Sequence, residues 1–271
     1  MRLLLLIISI ALVQPVFSQI SDSNQRHVLV SGAVNFRDLG GYTTQDGHHV
    51  RWNRLYRSAD ISKLTAADLD TLSARHICYD VDLRGVAESA AAPDKINPGT
   101  DYILCPAGSD STNTSMRRAM GLTTGGDSLM ESWYANITYL AARYKPFFAK
   151  LLLLPDTDAL VFHCTAGKDR TGIAAALLLY ALDVPYSRIV DDYTATNYYR
   201  AGDNDRLTHV IATSMHLDPK VAAAMMAAKP EYLDATFQAI KRQYGSIDKY
   251  LSDELGVDDA ARARLKAKFL E

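Results

Sequence analysis

Cysteine is scarce in this 271-residue chain: three residues, at positions 78, 105 and 164. A scaffold held by disulfides calls for a denser and even set, so at least one thiol stays unpaired. Cys78 and Cys105 lie in apolar, strand-like segments, which favours two buried thiols over a bridge between them. Net charge is also lacking. Twenty-nine basic side chains against 31 acidic ones leave −2, so no global field points to nucleic acid or an anionic membrane. The one uneven stretch, Arg26 to Arg57, sets five arginines against Asp38 and Asp46. It reads as a solvated face or as a local attraction for phosphate. No internal repeat or linker divides the chain, and no apolar run of spanning length follows the N-terminal one.

That N-terminal run has the form of an export signal. Met1-Arg2 is a short basic start, Leu3 to Val13 is apolar, and Val16-Phe17-Ser18 places small residues at −3 and −1. Cleavage after Ser18 would leave a mature single domain over 19–271, periplasmic or secreted, with no transmembrane span. No cysteine near the cleavage point offers a lipid anchor.

Strand and helix patterns alternate through the middle of the chain. A small hairpin is expected over Tyr42 to Arg57, turning at Asp46-Gly47. Thr65 and Asp68 form a capping box, with Leu64 and Leu69 as its hydrophobic staple. His76 to Leu83 alternates as a strand with Ile77, Tyr79, Val81 and Leu83 on one face and Asp80 and Asp82 on the other. Asp101 to Cys105 is a second strand, followed by a long polar loop to about Asp127. Ser128 to Leu154 reads as one long helix bent near Pro146. Ala159 to His163 is a short apolar run of the buried parallel kind, and Ile173 to Leu182 is an entirely apolar, hence buried, helix. Beyond Pro185 the pattern is helical, with Asp218-Pro219 and Pro230 as starts, Gly245 as a stop and Asp258-Asp259 opening the last helix. The expected fold is α/β: a central parallel or mixed sheet flanked by helices, with a largely helical C-terminal portion.

Between that buried strand and buried helix runs His163-Cys164-Thr165-Ala166-Gly167-Lys168-Asp169-Arg170-Thr171-Gly172. A loop entering a helix turns backbone N–H groups inward at the positive end of the helix dipole and so binds an anion. The same field lowers the pKa of a thiol at Cys164. Gly167 allows a tight path around the oxyanion, and Arg170 offers a bidentate fork to phosphate. Thr171 is placed to hydrogen-bond the sulfur. Thr165 to Arg170 thus form a phosphate-binding loop in which Cys164 attacks phosphorus and water then hydrolyses the phosphocysteine.

This run resembles the H-C-x-x-G-K-D-R-T-G signature of bacterial atypical tyrosine and lipid phosphatases. Asn35-Phe36-Arg37-Asp38-Leu39-Gly40-Gly41, Leu55-Tyr56-Arg57-Ser58, Asp82-Leu83-Arg84 with Glu88, Pro230-Glu231-Tyr232-Leu233 and Tyr244-Gly245-Ser246 resemble further blocks of that family. The resemblance implies a phosphatase α/β fold, no metal, no cofactor and activity on phosphotyrosine, phosphoserine/threonine and phosphoinositides. It also implies Asp169 as general acid. Asp82, at a strand's C-terminal end, and Asp110, in the polar loop, are alternatives, with an Asp82–Arg84 or Asp82–Arg37 ion pair the plainer reading of Asp82. Lys168 either supplies a second cation for a multiply phosphorylated head group, or points outward or pairs with an acid. His163 is expected to orient the backbone or thiolate. Arg37-Asp38 either contacts phosphate, orients the loop, or pins the N-terminal segment. Residues of about 200–230, rich in alanine and methionine, form a helical lid or ordinary packed helices. The partners expected are a phosphorylated protein or an inositol-phosphate substrate. A phytase-like enzyme and a catalytically dead phosphate-binding module are the alternatives, and oligomeric state is undetermined.

Overall fold

A computed structural model describes residues 23–111 and 125–271. The N-terminal stretch read above as an export signal and most of the polar loop after Ser111 lie outside the described residues. In chain order the elements are α1 (Ser23–Arg26), β1 (Arg37–Asp38), β2 (Leu55–Ser58), α2 (Ala66–Ala74), β3 (Ile77–Asp82), α3 (Val86–Ala91), β4 (Asp101–Leu104), α4 (Gly126–Ala135), α5 (Leu140–Leu153), β5 (Ala159–His163) and α6 (Asp169–Ala181). Then come α7 (Tyr186–Thr194), α8 (Thr196–Tyr199), α9 (Ala201–Ser214), α10 (Pro219–Met226), α11 (Pro230–Tyr244), α12 (Ile247–Leu255) and α13 (Asp259–Phe269).

The sheet runs β1-β2-β5-β3-β4. β1 is antiparallel to β2, and the remaining pairs are parallel. β5 is central and fully buried, as its uninterrupted apolar sequence requires. On one face Leu55, Val81, Leu160 and Phe162 join the main core with α6 and α5. On the other, Tyr56, Ile77 and Val161 pack with Leu64 and Leu72 of the α2 region. Capping falls where the side chains demand it. Thr65 accepts from the Asp68 N–H while the Asp68 carboxylate accepts from the Thr65 N–H. Asp218, Ser246 and Asp258 cap α10, α12 and α13.

Three sequence expectations are corrected. Ile77 does not share a face with Val81: Cys78 is an extra residue between the pairings Ile77–Ala159 and Tyr79–Leu160. A bulge of this kind reverses the alternation and sends Ile77 to the opposite core. The helix over 128–154 breaks at Asn136–Tyr139, not at Pro146. There the Asn136 side chain accepts from the Thr138 N–H at 3.3 Å, a local bond that competes with the helix. Pro146 sits inside α5, and Ala142, whose carbonyl loses its partner, is exposed to water. The hairpin shrinks to one antiparallel bridge, Thr43–His49, around a turn containing Gly47, and its return arm meets the C-terminus at Leu270. Cys78, Cys105 and Cys164 are all free thiols.

Candidate active site

The loop between β5 and α6 lies at the C-terminal edge of the parallel strands, with Asp169, Arg170 and Thr171 forming the first turn of α6. Its path depends on Gly167. This residue has φ +62°, and a Cβ there would run into the Ser58 carbonyl, so any side chain is both strained and obstructed. Asn35, itself at φ 61°, donates from Nδ2 to the Gly167 carbonyl at 2.9 Å and the Ala166 carbonyl at 3.3 Å. Arg57 Nη2 donates to the same Gly167 carbonyl at 2.7 Å. With its carbonyls bound from behind, the loop keeps a fixed curvature.

Cys164 is buried at the base. Burial pushes its thiol up, but the Arg170 charge and interactions from the Thr171 side chain and N–H outweigh it and hold the pKa below the ordinary thiol value. The Thr171 hydroxyl is buried and has no hydrogen-bond partner of regular geometry, which leaves it available to the sulfur. Arg170 is clamped by Glu88: Nη1 to Oε2 at 2.5 Å and Nη2 to Oε1 at 2.9 Å. Glu88 also accepts from Thr165 Oγ1 at 2.6 Å and from the Gly85 N–H at 2.8 Å.

Burial raises the Glu88 pKa, yet Arg170, Thr165 and Gly85 bring it down to about 2. A folded-state pKa below the unfolded value gives stability that is present above roughly pH 4.5 and lost as pH falls towards 2. Glu88→Gln should therefore flatten the acid limb of the stability curve, measured by urea unfolding at pH 5 and pH 3. It should also lower kcat by roughly 10- to 100-fold through a loosened Arg170. An unchanged acid limb would show that the clamp has no energetic role.

Asp169 accepts from Lys168 Nζ and from the Tyr134 hydroxyl, each at 2.6 Å. Burial raises its pKa, but the Lys168 charge and hydrogen bond, together with Tyr134, hold it below the usual carboxylate value. Tyr134 in turn meets the Tyr193 hydroxyl at 2.7 Å. Of the two readings of Lys168, the pairing with an acid is the one observed. Its side chain is buried.

Asp82 is buried away from this cluster. It accepts from the Nε, Nη2 and backbone N–H of Arg84 and from the Tyr102 hydroxyl. Asp110 accepts from the Val86 N–H at 3.2 Å, next to the Gly85–Glu88 clamp.

His163 does not turn to the thiolate. Its Nε2 lies 3.1 Å from Asp94 and 3.3 Å from Asp80, on the sheet face opposite Phe162. Burial lowers the imidazole pKa, but the two carboxylates raise it well above the ordinary value. The donor atoms of this trio lie within 4.8 Å of one another, close enough to hold a cation.

Arg37 and Asp38 point to opposite sides of β1. Asp38 accepts from the Gly40 and Asn53 N–H groups, both at 2.7 Å, and so pins a turn. Arg37 Nε pairs with Asp192 at 3.1 Å, and Arg57 Nη1 binds the other oxygen of the same carboxylate. All three side chains are buried. Arg37 therefore acts on the loop indirectly, through Asp192 and Arg57 to the Gly167 carbonyl. Asp192, Tyr134 and Tyr193 carried no signal in the sequence, because each sits on a distant helix without a motif around it.

A loop at the C-terminal edge of a parallel α/β sheet thus holds a cysteine of lowered pKa at its base and an arginine clamped by Glu88. A sequence model of the tyrosine phosphatase family matches residues 28–271, and the chain belongs to that family of phosphoric monoester hydrolases. It is 35% identical over 240 residues to a Cupriavidus necator protein that carries the provisional name of tyrosine-protein phosphatase, covering 87% of this chain and 86% of that one. A tyrosine-protein phosphatase of Nostoc commune is 31% identical, with 78% and 72% covered. The triple specificity protein phosphatase PtpB of Mycobacterium tuberculosis is 29% identical, with 88% and 97% covered.

Proposed function

We propose that the chain is an exported, metal-independent phosphatase that hydrolyses phosphotyrosine proteins, phosphoinositides, or both through a phosphocysteine on Cys164. The observation that carries this reading is the buried Cys164 held below the ordinary thiol pKa at the base of a loop whose carbonyls are bound from behind. A module that only binds phosphate has no need of an ionised thiol, which speaks against a catalytically dead protein.

Cys164 Sγ attacks phosphorus in line, and the P–O ester bond breaks as the P–S bond forms. The leaving oxygen takes a proton from Asp169. Water then attacks phosphorus and gives its proton back to Asp169, and the P–S bond breaks to regenerate a thiolate stabilised by Thr171. The Arg170 charge and Thr171 favour the ionised form of the Cys164 thiol, which eases the first attack. Asp169 is ionised in the empty site by Lys168 and Tyr134. A phosphate dianion bound beside it raises its proton affinity. Export rests on the Met1–Ser18 signal pattern. The 200–230 stretch divides between its two readings: α9 has no fully buried residue, whereas α10 buries Val221, Ala222 and Ala224 as an ordinary packed helix does.

The assignment of the acid is tested with aryl phosphates of good and poor leaving groups. Asp169→Asn should lose roughly 100-fold or more on the poor leaving group and far less on the good one, whereas Asp82→Asn should lose equally on both. A uniform loss for Asp169→Asn would remove it from the proton-donor role.

A further inference from the structure

The Asp169 carboxylate is held by one oxygen only. Lys168 Nζ and the Tyr134 hydroxyl both donate to Oδ1, each at 2.6 Å, while Oδ2 accepts from none of the described residues. The side chain keeps 23% of its surface exposed, whereas Lys168 and Tyr134 are buried. Two bonds to one oxygen restrict rotation of the carboxylate and leave the other oxygen open to a substrate.

Tyr134 is fixed from three sides. Its carbonyl accepts from Thr236 Oγ1 of α11 at 2.7 Å, its ring meets the Tyr193 ring edge-on at 6.1 Å, and its hydroxyl lies 2.7 Å from the Tyr193 hydroxyl. The one hydroxyl proton of Tyr134 goes to the carboxylate, which can only accept, so Tyr193 donates in this pair. The donors therefore run in series from Tyr193 to Tyr134 to Asp169 Oδ1, an arrangement in which each bond strengthens the next. Gly172 makes room for the Tyr193 ring. A Cβ on Gly172 would lie 2.8 Å from Cδ2 and 3.0 Å from Cε2 of that ring. Gly172 follows Asp169 by three residues and so shares its face of α6.

We propose that Tyr134, backed by Tyr193, is the positioning residue for the proton donor: it holds Asp169 by Oδ1 so that Oδ2 carries the proton to the leaving oxygen. This inference rests on the reading of Asp169 as the general acid. Both tyrosines are buried, so water does not stand in for a lost donor. Tyr134→Phe fills the same space and removes one donor from the ionised carboxylate, so Asp169 retains its proton to higher pH. The other ionisable groups that face Asp169 are Lys168 and Cys164 of the loop, Arg170 of α6, Tyr193 of α7 and Arg200 at the junction of α8 and α9. The substitution leaves each of them in place.

The test measures kcat against pH on aryl phosphates of poor and good leaving groups for the wild type, Tyr134→Phe and Tyr193→Phe. On the poor leaving group, whose departure needs the proton, the basic limb should move up by roughly one pH unit in Tyr134→Phe. In Tyr193→Phe it should move by a smaller step in the same direction. The plateau below that limb should fall roughly tenfold in Tyr134→Phe, because the freed carboxyl samples unproductive orientations. On the good leaving group neither limb nor plateau should change. A limb that stays in place, or a loss equal on both substrates, would leave Tyr134 a packing residue and overturn the proposal. If Tyr134→Phe does not fold, an unmoved limb in Tyr193→Phe overturns it equally. An unmoved limb alongside a selective loss in Asp169→Asn refutes the positioning role alone. A uniform loss in Asp169→Asn would sink the acid itself, so the two failures are told apart.

Discussion

Replacing Cys164 with serine is expected to lower kcat on an aryl phosphate on the order of ten-thousand-fold or more, because the attacking sulfur is lost and an un-ionised hydroxyl is a far weaker nucleophile. Phosphate binding should survive. The N–H groups of the loop and the Arg170 fork remain, and a thiolate that repels the incoming dianion is gone, so affinity for inorganic phosphate should hold or tighten. Steady-state turnover and phosphate titration of the same preparation read both quantities. Equal turnover in wild type and variant would rule out attack by sulfur.

The second large effect is on stability. Asp192 accepts from two guanidinium groups, Arg37 and Arg57, and all three are buried. Burial raises its pKa, but Arg57 and Arg37 hold it below the usual carboxylate value. Asp192→Ala leaves two buried charges without their shared partner, a kind of change that costs about 3–5 kcal/mol. For a domain of this size that is roughly 10 °C in Tm. Because Arg57 also holds the Gly167 carbonyl, the folded fraction should lose kcat as well. Urea unfolding with the activity assay checks both. A loss below about 1 kcal/mol would mean that water replaces the carboxylate and that the pair is not an anchor.

What the sequence made legible was local. The loop from His163 to Gly172 is contiguous, and each residue type in it has a defined task towards an anion, so the site appears without any tertiary information. The Thr65–Asp68 cap, the Pro230 start and the Gly245 stop are likewise set within a few residues. What stayed hidden depends on distant packing. Asp192 reads as one acid among several on α7, and only the fold sets it between Arg37 and Arg57. His163 was expected to orient the backbone or the thiolate, but strand alternation turns it to Asp80 and Asp94. The Cys78 bulge has no composition signal, although it decides which core receives Ile77.

Lys168 and Asp169 show how structure alters a reading that sequence left open. As a bonded pair they neutralise each other beside the phosphate loop. In the proposed mechanism Asp169 gains its proton only when substrate charge arrives.

Rapid acid quench during turnover of an aryl phosphate, followed by mass spectrometry of the peptide containing His163–Gly172, tests the phosphocysteine directly. The expected result is a transient phosphate on Cys164 that forms as fast as the first equivalent of leaving group is released. Full-rate turnover with no phosphate on that peptide, or with phosphate on another residue, would contradict it.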